Sequence, residues 1–194
     1  MFAGAGAQES LDPFGGTSPA DLVRNDVIYD SLFVLKKGAA EPALATAAEP
    51  AADGMSFTLR LRENVLWHDG SAFTAEDVVH SFRYMSSPDR AAPSELQMYF
   101  DMQKATVKDE HTVEVRTLRP IGDPAVLLAS FPAKMVKNKA TDFSAKNAIG
   151  TGPYRVTAFE AGRETRLARF DKHWGGAHPP TNWRSPVSRT HRPG

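Results

Sequence analysis

The sequence contains no cysteine. That absence excludes thiol nucleophiles, disulfides, thiolate zinc sites and cysteine-held iron–sulfur clusters together. It leaves the compartment open, because large exported proteins also do without disulfides. A charge surplus is lacking too, with 23 Lys+Arg against 23 Asp+Glu. Phosphate binding needs a basic excess on one face, so nucleic acid is not an expected partner. No run of 18 apolar residues occurs, and no membrane-spanning helix is expected. The opening "MFAGAGAQESLDPFGG" holds no cation, the first being Arg24, and Gly4 and Gly6 interrupt its apolar stretch. It does not read as an export signal.

Catalytic signatures are missing as well. There is no H-E-x-x-H and no G-x-S-x-G. The segment "GAGAQE" fails the G-x-G-x-x-G pattern because Glu9 stands where the third glycine belongs. Gly150-Thr151-Gly152-Pro153 resembles a phosphate loop in composition alone. Pro153 has no N–H to offer, and the residues after it alternate as a strand. No enzyme activity, no cofactor and no metal site is expected.

What is present is ordinary globular sequence, 41% apolar and 24% charged, long enough at 194 residues for one good core or two small ones. Residues 21–35, "DLVRNDVIYDSLFVL", carry apolar side chains at three- and four-residue spacings, which predicts an amphipathic helix running into a short extended segment. The Ala/Pro-rich residues 36–54 read as a surface connection with at most one helical turn. In "SFTLRLR", Phe57, Leu59 and Leu61 alternate with polar residues, the pattern of a half-buried strand. Hairpins are expected around Asp109-Glu110 and Ala161-Gly162, and a short helix after Asp123-Pro124. Helices interleaved with hairpins make a mixed α/β (α+β) layout.

The densest local signal is "VLWHDGSAFTAEDVVHSF", residues 65–82. Its Trp, two His and three acidic residues invite a metal reading, with Glu76 and His80 one helical turn apart. Each residue also has a structural role: Trp67 packs and Asp69-Gly70 turns the chain. Phe73 staples onto Val78, and Thr74 with Asp77 caps a helix over 75–85. The structural reading explains every position and is preferred. Trp174 beside Gly175-Gly176 is either a ligand-facing aromatic or a packing residue, and packing is favoured.

In order along the chain come "ESLDP", "IYDSLF", "EPALA", "FTLRLRENVLWHDGSAFTAEDVVHSF", "NAIGTGPYRV" and "RFDKHWGG". Together these resemble the family 5 extracellular solute-binding proteins, the dipeptide-, oligopeptide- and nickel-binding components of ABC importers. Gly150, Gly152 and Tyr154 carry the GTGPY motif, and Trp174 the WGG motif. The resemblance implies part of a class II periplasmic-binding-protein fold, whose two lobes close over a ligand by hinge motion. It implies a peptide-like solute, ABC permease subunits as partners, a monomer, and a periplasmic or extracellular place of work. Without a signal peptide, the chain as written is expected in the cytoplasm.

On this mapping, residues 1–35 and 145–176 resemble two segments of the first lobe. Residues 36–144 resemble a small domain inserted in it, and the basic, Pro-rich residues 177–194 resemble nothing in the family and read as a disordered tail. Family members are more than twice as long, so a truncated copy is expected, with a frameshift or stop near His178 and the second lobe missing. Half a cleft forfeits much of the burial that gives affinity, so loss of binding is part of that expectation. Candidates for the remaining ligand contacts are Phe14, Gly15, Gly16 and Thr17 after the LDP motif, and Tyr99 and Phe100 on the inserted domain. Loop or core packing is the competing role for each. The alternative function is a stand-alone interaction or structural module without solute binding.

Overall fold

The computed structural model describes residues 9–15, 18–90, 92–131 and 133–176. In chain order the elements are α1 (Pro19–Ile28), β1 (Phe33–Lys36), β2 (Ala39–Pro42), β3 (Ala45–Pro50), β4 (Ser56–Leu61), α2 (Ala75–Met85), β5 (Thr106–Asp109), β6 (Thr112–Arg116), α3 (Pro124–Ser130), β7 (Tyr154–Glu160) and β8 (Glu164–Arg169). Two short 3₁₀ turns, Glu95–Met98 and Met102–Lys104, lead into β5. The expected tail, 177–194, lies outside the described residues.

An antiparallel sheet of order β3-β4-β6-β5 forms the centre of the larger core. The alternation of β4 sends Phe57, Leu59 and Leu61 inward. Phe57 stands opposite Val115 and Leu59 opposite Val113, both buried on β6. Over these lies α2, which buries Val78, Val79, Phe82 and Met85. Full burial of each such side chain contributes about 1.5–3 kcal/mol, so this sheet–helix contact supplies most of the local stability. The helix starts and stops where its sequence dictates. Asp77 accepts the Thr74 N–H at 2.7 Å, and the chain leaves the helix at Ser86, ahead of Pro88. At the start of α3, the Asp123 side chain accepts the Val126 N–H at 3.1 Å, with Pro124 in the first turn.

Two expectations are corrected. The segment 36–54 is not a loop: β2 pairs with β1 across a turn at Lys37-Gly38, and β3 pairs with β4 from Ala45 to Pro50. Alanine has little strand preference of its own, so partner strands impose the conformation. Pro42 and Pro50 sit at strand ends, where a missing N–H does little harm. The second correction concerns α1, which stops at Ile28 and faces the other way from its apolar pattern. It buries Asp21, Arg24, Asn25 and Ile28, while Leu22 and Val23 are 52% and 38% exposed. Burial of the charges is tolerated because they pair with one another, although Arg24 Nε and the Asn25 amide have no hydrogen-bond partner among the described residues. Arg24 pairs with Asp21 and with Glu9 at 3.3 Å, donates to Thr165 Oγ1 at 2.8 Å, and lies 4.9 Å from the Phe159 ring centroid.

A smaller core gathers Leu11, Ile28, Tyr29, Val136, Ala148 and Leu167 between α1 and the β7–β8 hairpin. The hairpin turns at Gly162, whose φ of +72° suits glycine. The larger core is drawn from Leu32 to Met135.

Candidate functional site

Three local arrangements, each joining residues far apart in sequence, lie around the two cores. The first is the turn that follows Leu11. Asp12 Oδ1 accepts the Phe14 N–H at 2.9 Å, and the Asp12 carbonyl accepts the Gly15 N–H at 3.1 Å, the local bonding expected of an Asp turn. Asp12 Oδ2 then receives the Tyr84 hydroxyl and Arg90 Nη2, each at 3.1 Å. Phe14 packs at 6.0 Å from Tyr84, and Phe143 closes on the same ring at 5.7 Å. Burial, and next the Asp12 charge, push the Tyr84 hydroxyl above its ordinary pKa, so it remains a donor. The result is a half-buried aromatic wall with one paired carboxylate, next to the exposed Gly15.

The second feature is the contact of the GTGPY segment with the end of α1. A Cβ on Gly150 would stand 1.8 Å from the Ile28 carbonyl oxygen, and one on Gly152 would stand 2.6 Å from that of Val27. Only glycine admits this approach, and the Gly152 N–H uses it to donate to Ile28 O at 2.9 Å. His68 locks the same loop from the other side. Its Nδ1 accepts the Gly150 N–H at 3.1 Å while Nε2 donates to the Gly152 carbonyl at 2.8 Å, which fixes the tautomer. Burial pushes this imidazole down to about 4, against the opposing pull of the Gly152 carbonyl.

Asp30 anchors the third feature. Its Oδ2 accepts from Trp174 Nε1 at 2.8 Å and Thr151 Oγ1 at 3.1 Å, and His173 Nε2 lies 3.4 Å away. Burial pushes this carboxyl up, but His173, Trp174 and Thr151 outweigh it and hold the group below its ordinary value. Trp174 is half-buried with the Arg62 guanidinium 4.5 Å over its ring. A cavity of 270 Å³ elsewhere is lined by Lys137, Asn138, Lys139, Thr141, Asp142 and Asn147.

The remaining sequence candidates fall in different places. Gly16 and Thr17 lie outside the described residues. Tyr99 is half-buried between Phe100 and Phe131 with Arg119 over its ring. Phe100 is only 1% exposed, its ring 4.9 Å from Phe57, and it offers no surface to a solute. The ring contacts of Tyr99 and those of Phe14 belong to separate groups. Trp67 is fully buried and donates to Asp77 Oδ2 at 3.2 Å. Phe73 is likewise buried, 5.8 Å from the Trp67 ring, while Thr74 ends the extended chain at the helix cap. Gly70 turns with φ +88° beside Asp69, which pairs with Lys137. Tyr154 opens β7 opposite Arg169. His80 bonds to the Ala140 carbonyl at 3.1 Å rather than to Glu76, and no metal-ligating cluster occurs among the described residues. Sequence reading missed Tyr84 and Arg90. The usable signal was Tyr84 one turn after His80, on a different side of α2 from Val78 and Phe82.

Residues 39–182 match the model of the family "Bacterial extracellular solute-binding proteins, family 5 Middle". The Dipeptide-binding protein of Escherichia coli K12 is 28% identical over 203 residues, covering 90% of this chain and 38% of that protein. The solved structure of MoaA from A. tumefaciens R10, in complex with mannopinic acid, superposes with a TM-score of 0.77 at 28% identity, covering 90% of this chain and 37% of that one. NikA from Brucella suis, in complex with Fe(III)-EDTA, gives a TM-score of 0.78 at 24% identity, covering 96% and 39%, a likeness of fold alone. The chain spans less than two fifths of the length of these relatives.

Proposed function

Because the chain belongs to the family 5 bacterial extracellular solute-binding proteins, we propose that its inherited task is capture of a peptide-like solute for an ABC importer. Members of this family are binding components of transport systems, not enzymes. The matched residues, 39–182, are the observation that carries the reading. The Dipeptide-binding protein of E. coli, similar over 90% of this chain, favours a peptide over the other solutes that relatives bind. Within this reading the turn around Asp12–Gly15 and its aromatic wall are one side of the solute cleft. Residues 1–35 and 145–176 form part of a first lobe, and residues 36–144 a small domain set into it. The place of work follows the family, on the outer side of the cell membrane. No helix among the described residues is long and apolar enough to cross a membrane.

One side of a cleft buries a fraction of its ligand, so binding by these residues alone is weak, with Kd roughly millimolar. Calorimetric titration with di- and tripeptides tests this. Heat of binding with a negative heat-capacity change supports solute capture. A second reading, a stand-alone interaction module, is favoured by the larger core, whose fully buried residues all fall between Leu32 and Met135. Silence across a panel of peptides, opines and chelated nickel would move the weight to that module.

A further inference from the structure

We infer that Arg90 is a positioning residue for the Asp12–Gly15 turn, holding it in the conformation that meets solute; the solute half of the inference rests on the reading above. The turn's own bonds are local, from the Phe14 and Gly15 N–H groups to Asp12 and from the Asp12 N–H to Ser10 Oγ. Its near end is tied down by buried Leu11, whose carbonyl accepts the Tyr29 hydroxyl at 3.0 Å. The turn's first residue, Asp12, is held from elsewhere in the chain. Tyr84 and Arg90, 72 and 78 residues away, both donate to Asp12 Oδ2.

Arginine suits this position and lysine does not. The Arg90 Cζ lies 4.6 Å from the centroid of Tyr84 and 5.5 Å from that of Phe14, so one planar cation contacts two rings and still donates at its edge. Its Nε is buried with no hydrogen-bond partner among the described residues. The group is therefore oriented by its rings and by Asp12, not by a saturated set of acceptors. Side chains of the pair are 14% and 18% exposed, which shields the contact from the screening that weakens surface ion pairs. Loss of the guanidinium removes one contact from the Phe14 ring and one of the two long-range donors to Asp12, the residue that accepts the Phe14 and Gly15 amides. The sheet β3-β4-β6-β5 makes none of these contacts, so loosening stays at the turn.

Amide hydrogen exchange on the full chain tests this, in the wild type, Arg90→Met and Arg90→Lys. The readout is the ratio of exchange at Phe14 and Gly15 to exchange in β4 and β6, so a generally weakened variant still decides. Arg90→Met is expected to raise that ratio about tenfold and Arg90→Lys by less, the signature of local opening. An unchanged ratio overturns the inference. Titration of the same samples with trialanine and alanyl-phenylalanine tests the solute half. Wild-type shifts at the turn that weaken in Arg90→Met support it, and equal affinity in the two overturns it. If the ratio rises but neither peptide shifts the wild type, Arg90 still holds the turn and the solute reading of the turn is what fails.

Discussion

His68 and Gly150 are joined by two backbone-directed bonds of opposite sense. The His68 N–H donates to the Gly150 carbonyl at 2.9 Å, and the Gly150 N–H donates to the His68 imidazole at 3.1 Å. A side chain from the corner before α2 thus fixes a loop 82 residues later, and that loop rests on α1. One neutral imidazole is among the links that couple the two cores, beside Phe14, which packs on both, and Ser81, which bonds to Val136.

That neutrality makes stability depend on pH. The folded pKa of about 4 lies below the ordinary 6.5, so the unfolded chain binds the extra proton between those values. Stability therefore falls as pH drops from 6.5 to 4, by about 2–3 kcal/mol after allowing for partial exposure. The facing groups separate cleanly: Asp30 is held below its ordinary value, and Asp69, paired with Lys137, is held down to about 2, so their losses fall at lower pH. Denaturant midpoints measured across pH 4–7 check this, and His68→Gln should flatten the slope.

Glycine at the close approach is a second test. Gly150→Ala places a methyl 1.8 Å from a backbone oxygen that cannot move without shifting α1. A loss of about 3 kcal/mol or more is expected, enough to unfold a marginal protein. Gly70→Ala meets open space and strains only φ +88°, and should lose about 1 kcal/mol. Thermal melts of the two variants give the contrast.

Asp77 carries a third. One carboxylate accepts from the Thr74 N–H, from Trp67 Nε1 and, at 2.8 Å, from the Asn138 N–H. Asp77→Ala leaves a buried indole N–H and two backbone donors without it, a loss of about 2–4 kcal/mol. Chemical denaturation should show the drop, and near-ultraviolet dichroism a change at Trp67.

The pair Asp30–Trp174 gives a fourth. Trp174→Phe keeps the ring beneath Arg62 but removes the indole donor, so a loss of about 1–2 kcal/mol is expected by denaturation. Asp30→Asn should add little to it, because both changes break one network.

What could be read from the sequence was what neighbours in the chain decide. The span of α2 follows from Phe73, Thr74, Asp77 and Pro88, all within a turn or two of its ends. The hairpin at Gly162 follows from alternation and one glycine. By contrast β3 exists because β4 lies beside it, and the inverted face of α1 exists because Thr165 and Glu9 reach Arg24 from afar. The site divides in the same way. The LDP turn announces Phe14, while Arg90 becomes legible only once 78 residues of chain have brought it back to Asp12.

The most direct test of solute capture is a nuclear magnetic resonance titration of the full chain with di- and tripeptides, following backbone amides and the Trp67 and Trp174 indoles. Saturable shifts centred on Phe14, Gly15 and Tyr84, with the Trp67 indole unmoved in its core, are the expected result. Shifts confined to the β5–β6 surface, or none at any peptide concentration, would contradict it.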